Sequence, residues 1–325
     1  MMRCLVTGGC GFIGSNFIRH MLEKYPDYFI TNLDNLTYAG NPQNLADISK
    51  NPQYQFIQGD ICDENIVAAV IKNNNIDTIV HFAAESHVDR SISDASLFVR
   101  TNVLGTFTLL DQAWKQGVRR FIHISTDEVY GSIETGSFSE RDILNPSSPY
   151  SSSKASSDLL ARSYFITHHL PVIVTRCTNN YGPFQFPEKL IPFFVTSLLE
   201  GKKVPVYGSG LNVRDWLYVL DHCSAIDHVL HHGVAGEIYN IGGGVEIPNI
   251  EITKKILALL GKDESQIEYV EDRPGHDFRY SLDITKLHSL GWSPAYNFDQ
   301  ALERTVQWYI DNEWWWKPLK HTRNE

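Results

Sequence analysis

Through the first 180 residues, short apolar runs alternate with stretches in which apolar positions recur every three or four residues. That rhythm belongs to βαβ units and predicts a parallel sheet with helices packed on its faces. The apolar runs place strands at 4–7, 29–33, 55–58, 78–83, 121–125 and 172–176, and the amphipathic stretches place helices at 14–24, 63–74, 95–116 and 149–168. After Asn179-Asn180-Tyr181-Gly182-Pro183 the pattern loosens into shorter elements with more Gly and Pro, among them Val204-Pro205-Val206-Tyr207 and Ile238-Tyr239-Asn240-Ile241. The expected fold class is therefore α/β, a doubly wound parallel sheet over 1–180. A smaller carboxy-terminal α/β lobe over 181–325 should face the sheet's carboxyl edge, and the chain is free to cross between the two. No repeat or low-complexity linker separates the lobes, so they should pack closely. The Trp314-Trp315-Trp316 end should pack against the body, because three indoles in water carry a large apolar area.

Composition narrows the function classes. With 325 residues, 42% apolar and 20% charged, the chain can bury a proper core. Its net charge of −10 argues against a general nucleic-acid or anionic-membrane binder, although local Arg and Lys can still hold a small anionic substrate. The five cysteines (Cys4, Cys10, Cys62, Cys177, Cys223) are odd in number and scattered, with no C-x-x-C, which predicts free thiols in a reducing cytosol and no metal site. The chain runs at once into a strand, with no leader pattern and no apolar run of membrane-spanning length, so a cytoplasmic protein is expected.

The turn Thr7-Gly8-Gly9-Cys10-Gly11-Phe12-Ile13-Gly14 joins the first strand to the first helix. Glycines at 8, 11 and 14 allow a tight turn, close approach to a pyrophosphate and close helix–strand packing; the helix amino terminus supplies N–H groups to phosphate. Asp34 closes the second strand 20 residues after Gly14, where an acid accepts ribose hydroxyls and repels a 2′-phosphate. The expected coenzyme is NAD rather than NADP.

Two further segments carry proton chemistry. Ser125-Thr126-Asp127-Glu128 leaves the fifth strand with hydroxyls and two carboxylates, and Tyr150 and Lys154 lie four residues apart on one helical face. Oxidising a ring alcohol by hydride transfer requires its O–H proton to leave. Tyr150 is the natural base, with the Lys154 ammonium and a cationic nicotinamide favouring its phenolate. Adjacent residues on a strand point to opposite faces, so Asp127 and Glu128 can share one site only if the chain leaves strand geometry there. Neighbouring carboxylates raise one another's pKa, which allows one to act as an acid and the other as a base.

The Gly8-x-x-Gly11-x-x-Gly14 spacing, Thr126-Asp127-Glu128 and Tyr150-x-x-x-Lys154 together resemble the extended short-chain dehydrogenase/reductase family, most closely its nucleotide-sugar 4,6-dehydratases. The resemblance implies a Rossmann-type fold and a tightly bound, recycled NAD. It extends the coenzyme set to Asn35, Asp60, Ile61, Ala83, Ala84, Thr101, Ser125 and Asn180 beside Phe12 and Ile13. It places Ser86, Asn179, Glu188, Lys189 and Leu190 on the substrate, Pro205, Val206 and Tyr207 about the base, Arg214 and Arg273 on the diphosphate, and adds Asn249, His276 and Tyr280 to the substrate set. It assigns Tyr150 to the 4-OH proton, Glu128 to the C5 proton and Asp127 to the departing 6-OH. The implied substrate is a nucleotide-sugar, dTDP-glucose before UDP-glucose, in deoxysugar (rhamnose) biosynthesis. Helices 95–116 and 149–168 would form a homodimer through a four-helix bundle. Two rivals stay open: a UDP-sugar 4-epimerase, against which the two acids speak, and a catalytically silent NAD-binding regulator, which predicts erosion of the catalytic set.

Overall fold

The computed structural model describes residues 2–272 and 277–321. Seven parallel strands form the main sheet: β1 (Arg3–Thr7), β2 (Phe29–Asp34), β3 (Tyr54–Gln58), β4 (Thr78–His81), β5 (Arg120–Thr126), β6 (Val172–Cys177) and, later in the chain, β10 (Ile238–Ile241). Between β6 and β10 come β7 (Asn179–Tyr181), β8 (Val204–Tyr207) and β9 (Val213–Tyr218), and after them β11 (Glu246–Pro248) and β12 (Ile267–Val270). The main sheet runs β10-β6-β5-β4-β1-β2-β3, so the winding reverses between β1 and β4 and opens a crevice at their carboxyl ends.

Apolar side chains cover both faces of that sheet, as its near-continuous hydrophobic strands require. Helices Phe12–Lys24 and Val219–His232 cover one face through Phe17, Ile18, Met21, Ile226 and Val229; helices Glu64–Asn73, Thr106–Lys115 and Pro149–His168 cover the other through Val67, Leu109, Leu110 and Ala161. The smaller lobe has a separate core around Tyr181, Phe194, Val204, Ile252, Leu302 and Trp316, beside a three-stranded sheet β11-β9-β7 and the pair β12-β8.

Three details differ from the sequence reading. Strand β4 ends at His81, two residues short of the expected 83, because Phe82-Ala83-Ala84 turn out over the crevice. Residues 238–241, placed by the loosened pattern in the second lobe, pair with β6 as the seventh strand of the large sheet. The helix expected at 95–116 is helical from Ser96 to Lys115 but passes through π-type turns at Val99–Gly105. The Trp-rich end packs as its apolar area demands: Trp315 and Trp316 are buried, while Trp314 stays exposed.

Candidate active site

The glycine turn forms the floor of the crevice. Gly8 has φ +71°, and a Cβ there would lie 2.6 Å from the Ala83 nitrogen; a Cβ on Gly14 would lie 2.5 Å from the Gly8 carbonyl oxygen. Only glycine permits this approach. Helix Phe12–Lys24 starts from Gly11 with no side-chain cap, so its first N–H groups are left for an anion. Asp34 accepts the Cys10 N–H at 2.9 Å and the Leu36 N–H at 2.8 Å, so it shapes the turn and retains lone pairs for hydroxyls. Asn35, Asp60, Ile61, Ala83, Ala84 and Thr101 line the same cleft of about 330 Å³, and the residues present fit a dinucleotide. His81 is hydrogen-bonded within the core to Thr7 Oγ1 at 2.7 Å and Thr106 Oγ1 at 3.0 Å, so both ring nitrogens are engaged.

The two segments expected to carry proton chemistry meet in this cleft. Strand β5 ends at Thr126, whose hydroxyl caps a single turn of helix at Asp127–Tyr130 by accepting the Glu128 N–H at 3.3 Å. This turn is the departure from strand geometry that lets both acids line one cleft. A capping box between Ser148 and Ser151, with Pro149 in the first turn, starts helix Pro149–His168 and sets Tyr150 and Lys154 against β5. Lys154 Nζ donates to the Ile124 carbonyl at 2.7 Å.

Electrostatics separate the roles. Burial, reinforced by the Glu128 charge, pushes the Asp127 carboxyl well above the usual range, and its Oδ2 has no hydrogen-bond partner among the described residues. A buried, proton-holding carboxyl with an unused oxygen is suited to protonating a leaving group. Burial lowers Lys154 to about 8, against the opposing charge of Asp158. Tyr150 lies well above its ordinary value through burial and the Glu128 charge, with the Thr126 hydroxyl acting the other way. The expected phenolate is thus not favoured by the protein alone. Burial and the neighbouring carboxylates oppose ionisation of the phenol, so positive charge brought into the cleft would favour proton loss from Tyr150.

A second cavity of about 430 Å³ opens toward the smaller lobe, lined by Leu190, Pro205, Val206, Tyr207, Arg214, Asn249 and Tyr280. Glu128, Asn179, Glu188 and Lys189 line both cavities and so mark where they join; Ser86 and Asn180 line the first. Asn249 Oδ1 is buried without a hydrogen-bond partner among the described residues. Arg214 donates to the carbonyls of Val213 at 2.7 Å, Asp277 at 2.9 Å and Phe278 at 3.2 Å, and lies 4.5 Å over the Tyr280 ring, so it also holds the 277–278 backbone. Arg273 and His276 lie outside the described residues.

The structure adds residues that carried no motif. Tyr38 and Phe186 reach the first cavity from loops; Arg90 stacks 3.9 Å over Tyr38 and lies 3.8 Å from Glu188, with His87 at 3.4 Å from the same carboxylate. Cys177 lines the same cleft, its thiol raised to about 12 by burial and the Asp127 charge. His222 is buried 2.9 Å from the Asn180 side chain. Phe193 and Trp216 line the second cavity.

Comparison with known proteins bears directly on this arrangement. The family model described as GDP-mannose 4,6 dehydratase matches residues 5–305. The dTDP-glucose 4,6-dehydratase of Streptomyces niveus is 54% identical over 324 residues, spanning 98% of this chain and 96% of the relative. The crystal structure of DesIV, a dTDP-glucose 4,6-dehydratase from Streptomyces venezuelae with NAD bound, is 55% identical, with a TM-score of 0.96 over 98% of this chain and 100% of that one. A UDP-glucose 4-epimerase from Thermotoga maritima reaches a TM-score of 0.90 over 96% and 100%, but at 30% identity. Shape alone does not separate these reactions. In sequence and in fold, over nearly its whole length, this chain belongs to the GDP-mannose 4,6 dehydratase family of nucleotide-sugar 4,6-dehydratases.

Proposed function

We propose that the protein converts dTDP-glucose to dTDP-4-keto-6-deoxyglucose. The carrying observation is that Asp127 and Glu128 line one cleft with Tyr150, at the junction of a dinucleotide cleft and a second cavity. The glycine cradle, the first turn of helix Phe12–Lys24 and Asp34 would hold NAD. Bound there, NAD supplies hydride acceptance at C4 and hydride return at C6. Tyr150, assisted by the Thr126 hydroxyl, takes the 4-OH proton. The resulting ketone acidifies C5; Glu128 removes that proton and would return one, exchanged with solvent, to C5 when hydride reaches C6. Asp127 gives its proton to the 6-OH, which leaves as water. The 4-keto-6-deoxy product is a precursor for deoxysugar, including rhamnose, biosynthesis.

A 4-epimerase needs the hydroxyl–Tyr–Lys set but not a second acid and base, so the paired carboxylates favour dehydration. Five unpaired thiols support a reducing, cytoplasmic setting, and among the described residues no helix is long and apolar enough to cross a membrane. A homodimer through a four-helix bundle is supported by the apolar residues left exposed on the two expected helices: Leu97, Phe107 and Trp114 on one, Leu159 and Ile166 on the other.

The test is incubation with dTDP-glucose in heavy water, followed by NMR and mass spectrometry. The expected product has lost one water, carries deuterium at C5 and leaves no net reduced coenzyme. An unchanged dTDP-glucose beside converted UDP-glucose would move the base preference; an unchanged pair would overturn the dehydratase reading.

A further inference from the structure

The carboxy-terminal helix Glu313–His321 reaches back to the glycine turn. Trp315 Nε1 donates to Asn44 Oδ1 at 2.7 Å, across 271 residues of sequence. Asn44 Nδ2 in turn donates to the Cys10 carbonyl at 2.8 Å, and the Asn41 N–H donates to that carbonyl at 3.0 Å. Trp315, Asn44 and Cys10 are all buried. An indole N–H only donates and a peptide carbonyl only accepts, so the Asn44 amide fits between them in one orientation. The indole is itself held by Trp308, whose ring centre is 5.1 Å away, and by Phe184 at 5.8 Å.

The peptide plane between Cys10 and Gly11 is pinned at both ends. Its carbonyl takes the two donors from Asn41 and Asn44, and its Gly11 N–H donates to the Gly8 carbonyl at 3.1 Å. One residue further on, helix Phe12–Lys24 begins, uncapped by any side chain. The direction of its first N–H groups follows from that plane. Those groups act on phosphate only if they point at it, since an N–H···O bond weakens steeply as its angle closes.

We propose that Trp315 is a positioning residue for the coenzyme, acting through Asn44 to fix the Cys10–Gly11 peptide and the phosphate-binding turn. Packing alone would be met by any aromatic ring at 315; the relay requires the indole N–H. This proposal rests on the reading of the cleft as an NAD site.

The test uses the full-length protein freed of coenzyme, with Trp315→Phe, Asn44→Leu and the double variant. Calorimetry gives the NAD dissociation constant, and thermal unfolding without coenzyme reports structural cost separately. Trp315→Phe should weaken NAD binding by about three- to tenfold, the size of one buried hydrogen bond, with kcat at saturating NAD within about twofold. In the Asn44→Leu background the same change should have no further effect on affinity, because the chain of bonds is already cut. Equal NAD affinity in wild type and Trp315→Phe would overturn the relay, as would a Trp315→Phe effect that persists undiminished without Asn44. A wild-type protein that does not bind NAD would sink the coenzyme reading and this proposal together.

Discussion

Lys154 Nζ lies 2.7 Å from the Ile124 carbonyl oxygen, two residues before the hydroxyl of Thr126 on the same strand. The ammonium therefore ties the helix that carries Tyr150 to the strand that carries the acids. Burial lowers Lys154 to about 8, so its charge is present below that pH and lost above it. In the free enzyme kcat/KM should fall as pH rises through about 8. Lys154→Met should lower kcat/KM by about 10²–10⁴-fold and remove that alkaline limb. A pH–rate profile of both proteins checks this, and an unchanged limb in the variant would assign it to another group.

Asp127 and Glu128 should separate when each loses its charge but keeps its shape. Glu128→Gln should block deuterium entry at C5. Asp127→Asn should leave C5 exchange measurable while slowing water loss by about 10²–10⁴-fold. NMR of the recovered sugar distinguishes the two, and full dehydration by Glu128→Gln would reassign the base.

Asp127 also predicts a stability change. Its folded pKa is raised by burial, so the folded state holds a proton that the unfolded state releases. The sign follows: stability is highest below the unfolded value and declines as pH rises through the folded one. Asp127→Asn should flatten that decline and raise Tm at neutral pH. Scanning calorimetry across pH tests it; parallel Tm curves for the two proteins would show that Asp127 is already ionised.

Behind the site, Arg176 Nε meets Asp158 Oδ2 at 2.9 Å and its Nη1 donates to the Tyr130 hydroxyl at 2.8 Å, all buried. Burial raises Asp158, yet His123 and Arg176 more than offset it and hold the carboxyl below its ordinary range. Arg176→Met leaves a buried carboxylate without its cation and should cost about 3–5 kcal/mol. Urea unfolding gives the value; a loss near zero would mean that the carboxyl takes up a proton at no cost.

Leu159 and Ile166 are exposed apolar residues on the outer face of helix Pro149–His168. Placing charge there, as Leu159→Glu with Ile166→Glu, should convert a dimer to a monomer without unfolding the protomer. Sedimentation measures the mass; a wild-type monomer, or a double variant still dimeric, would dispose of the four-helix interface.

The large sheet was readable from sequence because each βαβ unit is local: a buried run, a glycine turn and an amphipathic helix declare themselves within about 30 residues. The glycine spacing, Asp34, the Thr126–Glu128 segment and the Tyr150–Lys154 pair share that property, since each depends on near neighbours along the chain. What sequence could not determine depends on long-range closure. Strand β10 joins β6 after an excursion through the other lobe; Tyr38, Arg90 and Glu188 meet across the crevice; Trp315 finds Asn44 across 271 residues. The electrostatics of the site depend on the same closure. Sequence set Lys154 four residues from Tyr150, but desolvation, which depends on everything folded around them, pushes the phenol's pKa upward.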